Sequence, residues 1–402
     1  LLGIGLVGTS CALENAGHIN AFLGTSETVI VPSEEDADAD TEYYKSDYGE
    51  LSASTLEKLR KDAYEQVVNE MREGTVLLWN KDKALPLSSQ ERSVTTFGYA
   101  AAHMLYKGSG AGNDPTGEEA TIDLKEALEG EGLKVNPTVW NMLSSQSITP
   151  TNPGNNLSDT AAEPVLAEVD ASLYDQASWA DDYNDVAVVV LNRYAGEGGD
   201  LDLSLSDEGG RNQLQLIKKE RDMLQMLKDA KEAGKIKKIV VLLNFVYQLE
   251  LEELKTFDVD AALVIGTPGT TGLEGVAEIL TGKTNPSGRL VDTYATSAMS
   301  APAMANAIQN TPDWANADEV LDVLDLENVN NGGRNKNLVQ VKKVLVQQEN
   351  IYVGYKYYET RYEDAVLNRF NAKGENGIYA SEGNEWNYAD EVSYPFGHGL
   401  SY

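Results

Sequence analysis

The residues with the most chemical promise lie together at 193–200, in the run Arg193-Tyr-Ala-Gly-Glu-Gly-Gly-Asp200. They follow directly on an apolar, β-branched run that ends at Asn192. A glutamate between two glycines at the end of such a run is placed to project into a cleft. Gly196, Gly198 and Gly199 permit tight turns and leave room for a ligand. Arg193 and Asp200 bring opposite charges to the same loop. Glu197 could donate a proton to a leaving group if a partly apolar cleft raised its pKa. On spacing alone, a solvated glutamate in a glycine-rich loop is the plainer reading, and the two stay open.

Other chemistries find less support. Lys107-Gly-Ser-Gly-Ala-Gly112 contains Gly-x-Gly steps but no Gly-Lys-Ser/Thr ending. No G-x-G-x-x-G stands between a strand and a helix with an acidic residue about 20 positions on. A receiver-type phosphoacceptor pocket is missing too, since the first plausible strand ends in Phe97-Gly98. There is no G-x-S-x-G elbow for a serine nucleophile. His18, His103 and His398 read as structural or exposed rather than catalytic. With three His and the single Cys11, neither a zinc site nor a disulfide framework is expected.

Presenting the loop requires a sheet. Short apolar runs at 94–97, 133–135, 185–192, 238–244 and 261–266 read as strands, the longest as strands covered on both faces. Helices are expected over 54–73, with a Ser54/Glu57 capping box and Gly74 as the stop, and from a Thr116/Glu119 box to Gly130. A third is expected over 212–233, with Leu216, Ile217, Met223, Leu224 and Leu227 near one face and Gly234 as the stop. A fourth spans 273–280 and is closed by Gly282. Beyond Tyr294 the pattern weakens, and 146–163 and 328–336 read as loops. Alternating strands and helices predict an α/β fold with a largely parallel sheet between helices. Ligands then lie beyond the carboxyl ends of the strands, after Asn192, Asn244 and Gly266.

The 402 residues are 42% hydrophobic and 24% charged, with a formal net charge of −32. So negative a field argues against nucleic acid or anionic lipid as partner and is compatible with a neutral sugar. Residues 1–13, LLGIGLVGTSCAL, are apolar but too short to span a bilayer alone. With a preceding extension they would form a membrane anchor or a signal-peptide core; a buried helix is the alternative. The acidic run 34–40 reads as a linker. Residues 1–50 are therefore expected to be an anchor-like tail and 51–402 the folded domain, outside the cell or on its surface.

Several strings occur in a telling order. They are Thr75-Val-Leu-Leu-Trp-Asn with Ala84-Leu-Pro-Leu87, Phe97-Gly98, Gly108-Ser-Gly110, Gly196-Glu-Gly-Gly-Asp200 behind Arg193, and Ser204-Leu-Ser206. Val240 to Asn244, Pro268-Gly269 and Gly282-Lys-Thr-Asn-Pro-Ser-Gly-Arg-Leu290 follow. Tyr352-Val-Gly-Tyr-Lys-Tyr-Tyr-Glu-Thr360 and Pro395-Phe-Gly-His-Gly-Leu-Ser-Tyr402 close the series. Together they resemble the second, sandwich domain of family 3 glycoside hydrolases, β-glucosidase-like enzymes. The resemblance implies a six-stranded sheet between helices, no cofactor or metal, and a carbohydrate substrate. It also implies a (β/α)8 barrel as partner domain, carrying an Asp nucleophile. Glu197 then falls on the acid/base of a retaining mechanism, whose two carboxyl groups stand about 5–5.5 Å apart. Arg193 and Asp200 become candidates for sugar contact or for positioning the loop. Leu201 departs from the Arg the family often has there. Ahead of Thr75 stand only the tail and one helix, against the roughly 250 residues of a barrel. The expected order is sandwich first and barrel after. Without its barrel the domain would be inactive; a non-catalytic carbohydrate-binding or interaction module is the alternative.

Overall fold

A computed structural model describes residues 52–107, 121–148, 166–180, 182–193, 208–305, 349–367 and 388–402, with single positions at 15, 16, 48, 205, 315, 316, 319 and 347. The chain falls into two compact units, Leu1–Arg60 and Lys61–Tyr402. The apolar run 1–13 and the acidic run 34–40 lie outside the described residues. Among the described residues no helix is long and apolar enough to cross a membrane.

The second unit is built on a six-stranded sheet. Its strands are β1 (Val76–Asn80), β2 (Ser93–Phe97), β3 (Lys134–Val135), β4 (Val186–Asn192), β5 (Lys238–Asn244) and β6 (Ala261–Val264). Their order is β1-β6-β5-β4-β2-β3. All neighbours are parallel except β1 against β6. The largely parallel sandwich read from the pattern is thus the fold observed. Every residue of 186–191 and 239–243 is at most 1% exposed, because helices cover both faces and a continuous apolar strand suits such a layer. β4 and β5 pair without a slip from Val186↔Lys238 to Asn192↔Asn244. The two longest strands therefore end level, at Asn192 and Asn244.

The helices that matter here are α1 (Ala53–Gly74), α2 (Leu124–Gly130), α3 (Pro137–Ser144), α4 (Lys218–Glu232), α5 (Leu273–Thr281) and α6 (Tyr355–Val366). Two caps differ from expectation. Ser52 and Thr55, not Ser54 and Glu57, bond each other's backbone N–H at the start of α1. Asp123 and Glu126 form the box of α2; Thr116 and Glu119 lie outside the described residues. The third expected helix begins at Lys218 rather than Asn212, for a reason given below. Helix α5 ends as expected, on Gly282 in the left-handed region.

Two glycine-bearing strings protect the sheet edge. Leu400 N–H bonds the Leu77 carbonyl of β1 at 2.8 Å, and the His398 ring bonds that of Leu78 at 2.7 Å. Leu290 N–H donates to His398 and Gly397 N–H donates back to Leu290, each at 2.8 Å. A β-carbon on Gly399 would stand 2.2 Å from the Gly288 carbonyl oxygen. The segments Asn285 to Leu290 and Pro395 to Tyr402 thus close on each other and cover an exposed strand edge, which would otherwise invite pairing with another chain.

Candidate active site

The carboxyl ends of β4 and β5 carry a dense network of buried polar bonds. Arg193, the first residue after β4, is 2% exposed. Its Nε donates to the Gln213 carbonyl at 2.8 Å. One terminal nitrogen donates to the Asn192 carbonyl (2.7 Å) and to Glu220 Oε1 (2.6 Å). The other donates to the Gln215 carbonyl (2.9 Å) and to Glu220 Oε2 (2.8 Å). A guanidinium has five N–H donors, and all five are used. Burial works against the charge. The adjoining Glu220 carboxylate, in bidentate contact, more than offsets it and holds the Arg193 pKa above its ordinary value.

These bonds explain where α4 begins. The carbonyls of Gln213 and Gln215 accept from Arg193, and Asn212 turns its side-chain oxygen onto the Leu214 N–H at 2.8 Å. Residues 212–217 therefore wrap the arginine instead of continuing the helix backwards. Glu220 completes the start by accepting from Ile217 N–H at 3.0 Å.

A second buried carboxyl lies behind. Glu168, 3% exposed, accepts from the N–H groups of Tyr99 (3.0 Å) and Val169 (2.8 Å). Burial, reinforced by the charge of Glu220, pushes its pKa from 4.5 to about 8, against the pull of those two N–H groups and of Lys219. The Tyr174 hydroxyl accepts from Gly98 N–H at 2.8 Å. Gly98 itself must be glycine: its φ is +89°, and a β-carbon there would lie 2.2 Å from the Val190 carbonyl oxygen of β4.

Beyond β5, Asn244 bonds both backbone groups of Leu105 (2.8 and 2.9 Å) and the Gly266 carbonyl (2.6 Å). It ties together the chain segments that follow β2, β5 and β6. Glu250 accepts from Gln215 at 2.7 Å and from Ala298 N–H at 2.9 Å. The edge picked out from the pattern is therefore a braced platform.

The residues expected at this site fare differently. Glu197 and Asp200 lie outside the described residues. For Arg193 the sugar contact is replaced by another occupation, since no N–H remains for a hydroxyl; it anchors the chain. Its partner Glu220 and the buried Glu168 did not emerge from the sequence. Glu220 left one trace, a glutamate three residues after Ile217 at the head of an amphipathic helix. Glu168 left none. His103 stacks on Tyr99 at 4.1 Å and contacts the Leu143 carbonyl at 3.0 Å; with His398 it is structural, as expected. His18 lies outside the described residues. Among the described residues no cluster of His, Cys, Asp and Glu could hold a metal.

Comparison with known proteins converges on one family. The model of the glycosyl hydrolase family 3 C-terminal domain matches residues 75–402. A β-glucosidase of Ruminococcus albus is 25% identical over 334 residues, covering 82% of this chain and 27% of that protein. An exo-1,4-β-xylosidase of Aspergillus niger is 30% identical over 264 residues, covering 64% of this chain and 28% of that protein. Among solved structures, β-glucosidase 3B of Thermotoga neapolitana in complex with glucose superposes with a TM-score of 0.55 at 25% identity. That match covers 86% of this chain and 38% of that one. The chain thus spans about a quarter of the length of the curated relatives it matches.

Proposed function

The chain belongs to the glycosyl hydrolase family 3 C-terminal domain family, and on that premise we propose that it is the acid/base half of a retaining, β-glucosidase-like hydrolase of O-glycosidic bonds. The (β/α)8 barrel that supplies the nucleophile is its partner domain, and the substrate is a neutral carbohydrate. In this reading Glu197 protonates the departing glycosidic oxygen and then takes a proton from the water that releases the glycosyl-enzyme. Asp200, three residues on in the sequence, is the candidate for contact with the same sugar. The relatives named for β-glucosides and for a 1,4-β-xyloside make glucosides the first substrates to try and xylosides the next.

The observation that carries the reading is the anchoring of Arg193. Glu197 follows it by four residues, so it cannot lie more than about 14 Å from it along an extended chain. The strand end that Arg193 follows is the edge where parallel α/β folds bind ligands. A platform of buried, fully bonded polar groups is also what precise placement of one carboxyl demands.

The test is an assay of the enzyme that joins this chain to its barrel, with aryl β-glucosides and β-xylosides as substrates. Glu197→Gln is expected to lower turnover by about 100-fold or more, the scale of general acid–base catalysis. Undiminished turnover would remove Glu197 from the role. Calorimetry of the 402-residue chain against mono- and disaccharides addresses the other reading: tight binding by the chain alone would favour a carbohydrate-binding module. An extracellular or cell-surface location remains part of the proposal, checked by fractionating the source cells.

A further inference from the structure

A fold-level match says nothing of how one loop is held in place, but the bonds around Arg193 do. Arg193 and Leu205 flank residues 194–204 in the chain. Leu205 N–H bonds the Arg211 carbonyl at 2.7 Å, and Gly210 N–H bonds the Leu205 carbonyl at 3.0 Å. Arg193 in turn grips the carbonyls of Gln213 and Gln215. Both ends of the stretch are thus fastened to the same short segment, 211–215. What holds that segment against Arg193 is Glu220 at the start of α4, through two bonds of 2.6 and 2.8 Å. Glu220 is 3% exposed; its carboxylate also accepts from the Ile217 N–H at 3.0 Å, but only its bonds to Arg193 reach the residue from which 194–204 depart.

We propose that Glu220 is a positioning residue for the acid/base loop, fixing through Arg193 the two points from which residues 194–204 depart and return. The inference rests on the acid/base reading of Glu197 and deepens it. Glu220→Gln keeps the size of the side chain and one acceptor oxygen but withdraws the charge and one arm of the fork. The guanidinium then loses its fixed plane, and with it the alignment of 193 with 211–215. Glu197 would still be present, only less often in line with the glycosidic oxygen.

That mechanism has a signature that general loss of structure lacks. A glycoside with a poor leaving group needs the proton; a dinitrophenyl glycoside leaves without it. In the enzyme joining this chain to its barrel, Glu220→Gln is expected to lower kcat/KM on an unactivated β-linked disaccharide by about 30-fold or more, within the range general acid catalysis supplies. On the dinitrophenyl glycoside the loss should be about 3-fold or less. Arg193→Lys, which keeps the charge but cannot bridge the same partners, should show the same selectivity, and it serves if Glu220→Gln does not fold.

Hydrogen exchange in the 402-residue chain supplies a readout free of activity. Amides of 194–204 should exchange faster in both variants, with exchange in β4 and β5 unchanged. Equal losses on both glycosides, or unchanged exchange at 194–204, would overturn the proposal. Glu197→Gln run alongside separates the two levels: if it shows no dependence on leaving group, the acid/base reading fails and this inference falls with it, however exchange at 194–204 behaves.

Discussion

Arg193 shows how far a single position can be read from sequence. Its place after an apolar strand and before a glycine-flanked glutamate marks it for function, and the chain does turn on it. Its role was hidden because four of its five bonds go to partners 20 to 27 residues further along. No local pattern announces that three carbonyls and a carboxylate will converge on one guanidinium. Truncating one side of such a pair strands the other charge in the interior, so Arg193→Met should cost about 3–5 kcal/mol. The exposed pair Lys218–Asp222 on α4 is a useful contrast, since Lys218→Ala should cost about 0.5 kcal/mol or less. Denaturant midpoints at constant slope would measure both. Glu168 makes the complementary point. Nothing around it in the sequence marks it as buried, yet its environment raises its carboxyl pKa to about 8.

At the scale of elements five of the six sheet strands were legible; the antiparallel edge strand β1 and the joints were not. The runs at β4 and β5 are continuous, β-branched and bounded, so their limits fall within a residue of those expected. The start of α4 was misplaced because a tertiary bond, Arg193 to the Gln213 and Gln215 carbonyls, outcompetes the helix for those acceptors. The short pair β7 (Tyr294–Ala295) and β8 (Val392–Tyr394) joins residues about a hundred positions apart; only the folded chain reveals it. Caps and close approaches make testable joints. Asp123→Ala should cost about 1 kcal/mol by removing the bond to the Glu126 N–H at 2.7 Å. Gly98→Ala is more severe. Its added β-carbon would meet a strand carbonyl at 2.2 Å in a backbone conformation that suits glycine, and neither β2 nor β4 can retreat without breaking the ladder between them. A loss above about 2 kcal/mol is expected, seen as a lower denaturant midpoint with the sheet's circular dichroism retained in buffer.

Over the whole molecule, carboxyl groups set the pH at which the fold is firmest, and they act in opposite directions. Glu278 lies under α1, bonded by Arg72 at 2.6 and 2.8 Å. Arg72, aided by Lys283 and Thr284 against the effect of burial, draws its pKa from 4.5 to about 2. Its contribution is complete above pH 4.5 and is lost as pH falls towards 2. Asp185, where the Lys237 and Ser93 bonds outweigh burial, and Asp258, held by Lys81 and Lys231, are lowered as well and weaken on the acid side in the same way. Glu168 runs the other way. The unfolded chain releases its proton near 4.5 and the folded chain near 8, so the native state binds more protons between those values and stability falls as pH rises through them. The net charge of −32 at neutrality adds self-repulsion that also grows with pH. Both alkaline terms push the optimum below the middle of the usual range. Maximal stability is expected at about pH 5–6, with a decline towards pH 8 steeper than a typical domain shows. Two measurements separate the terms. Salt at about 1 M should raise Tm more at pH 8 than at pH 5.5, because screening relieves repulsion between exposed charges and leaves the buried glutamate untouched. Glu168→Gln, which cannot ionise, should flatten the part of the decline that survives in salt. If stability in high salt is as steep in the glutamine variant as in the parent chain, Glu168 is not the group that titrates.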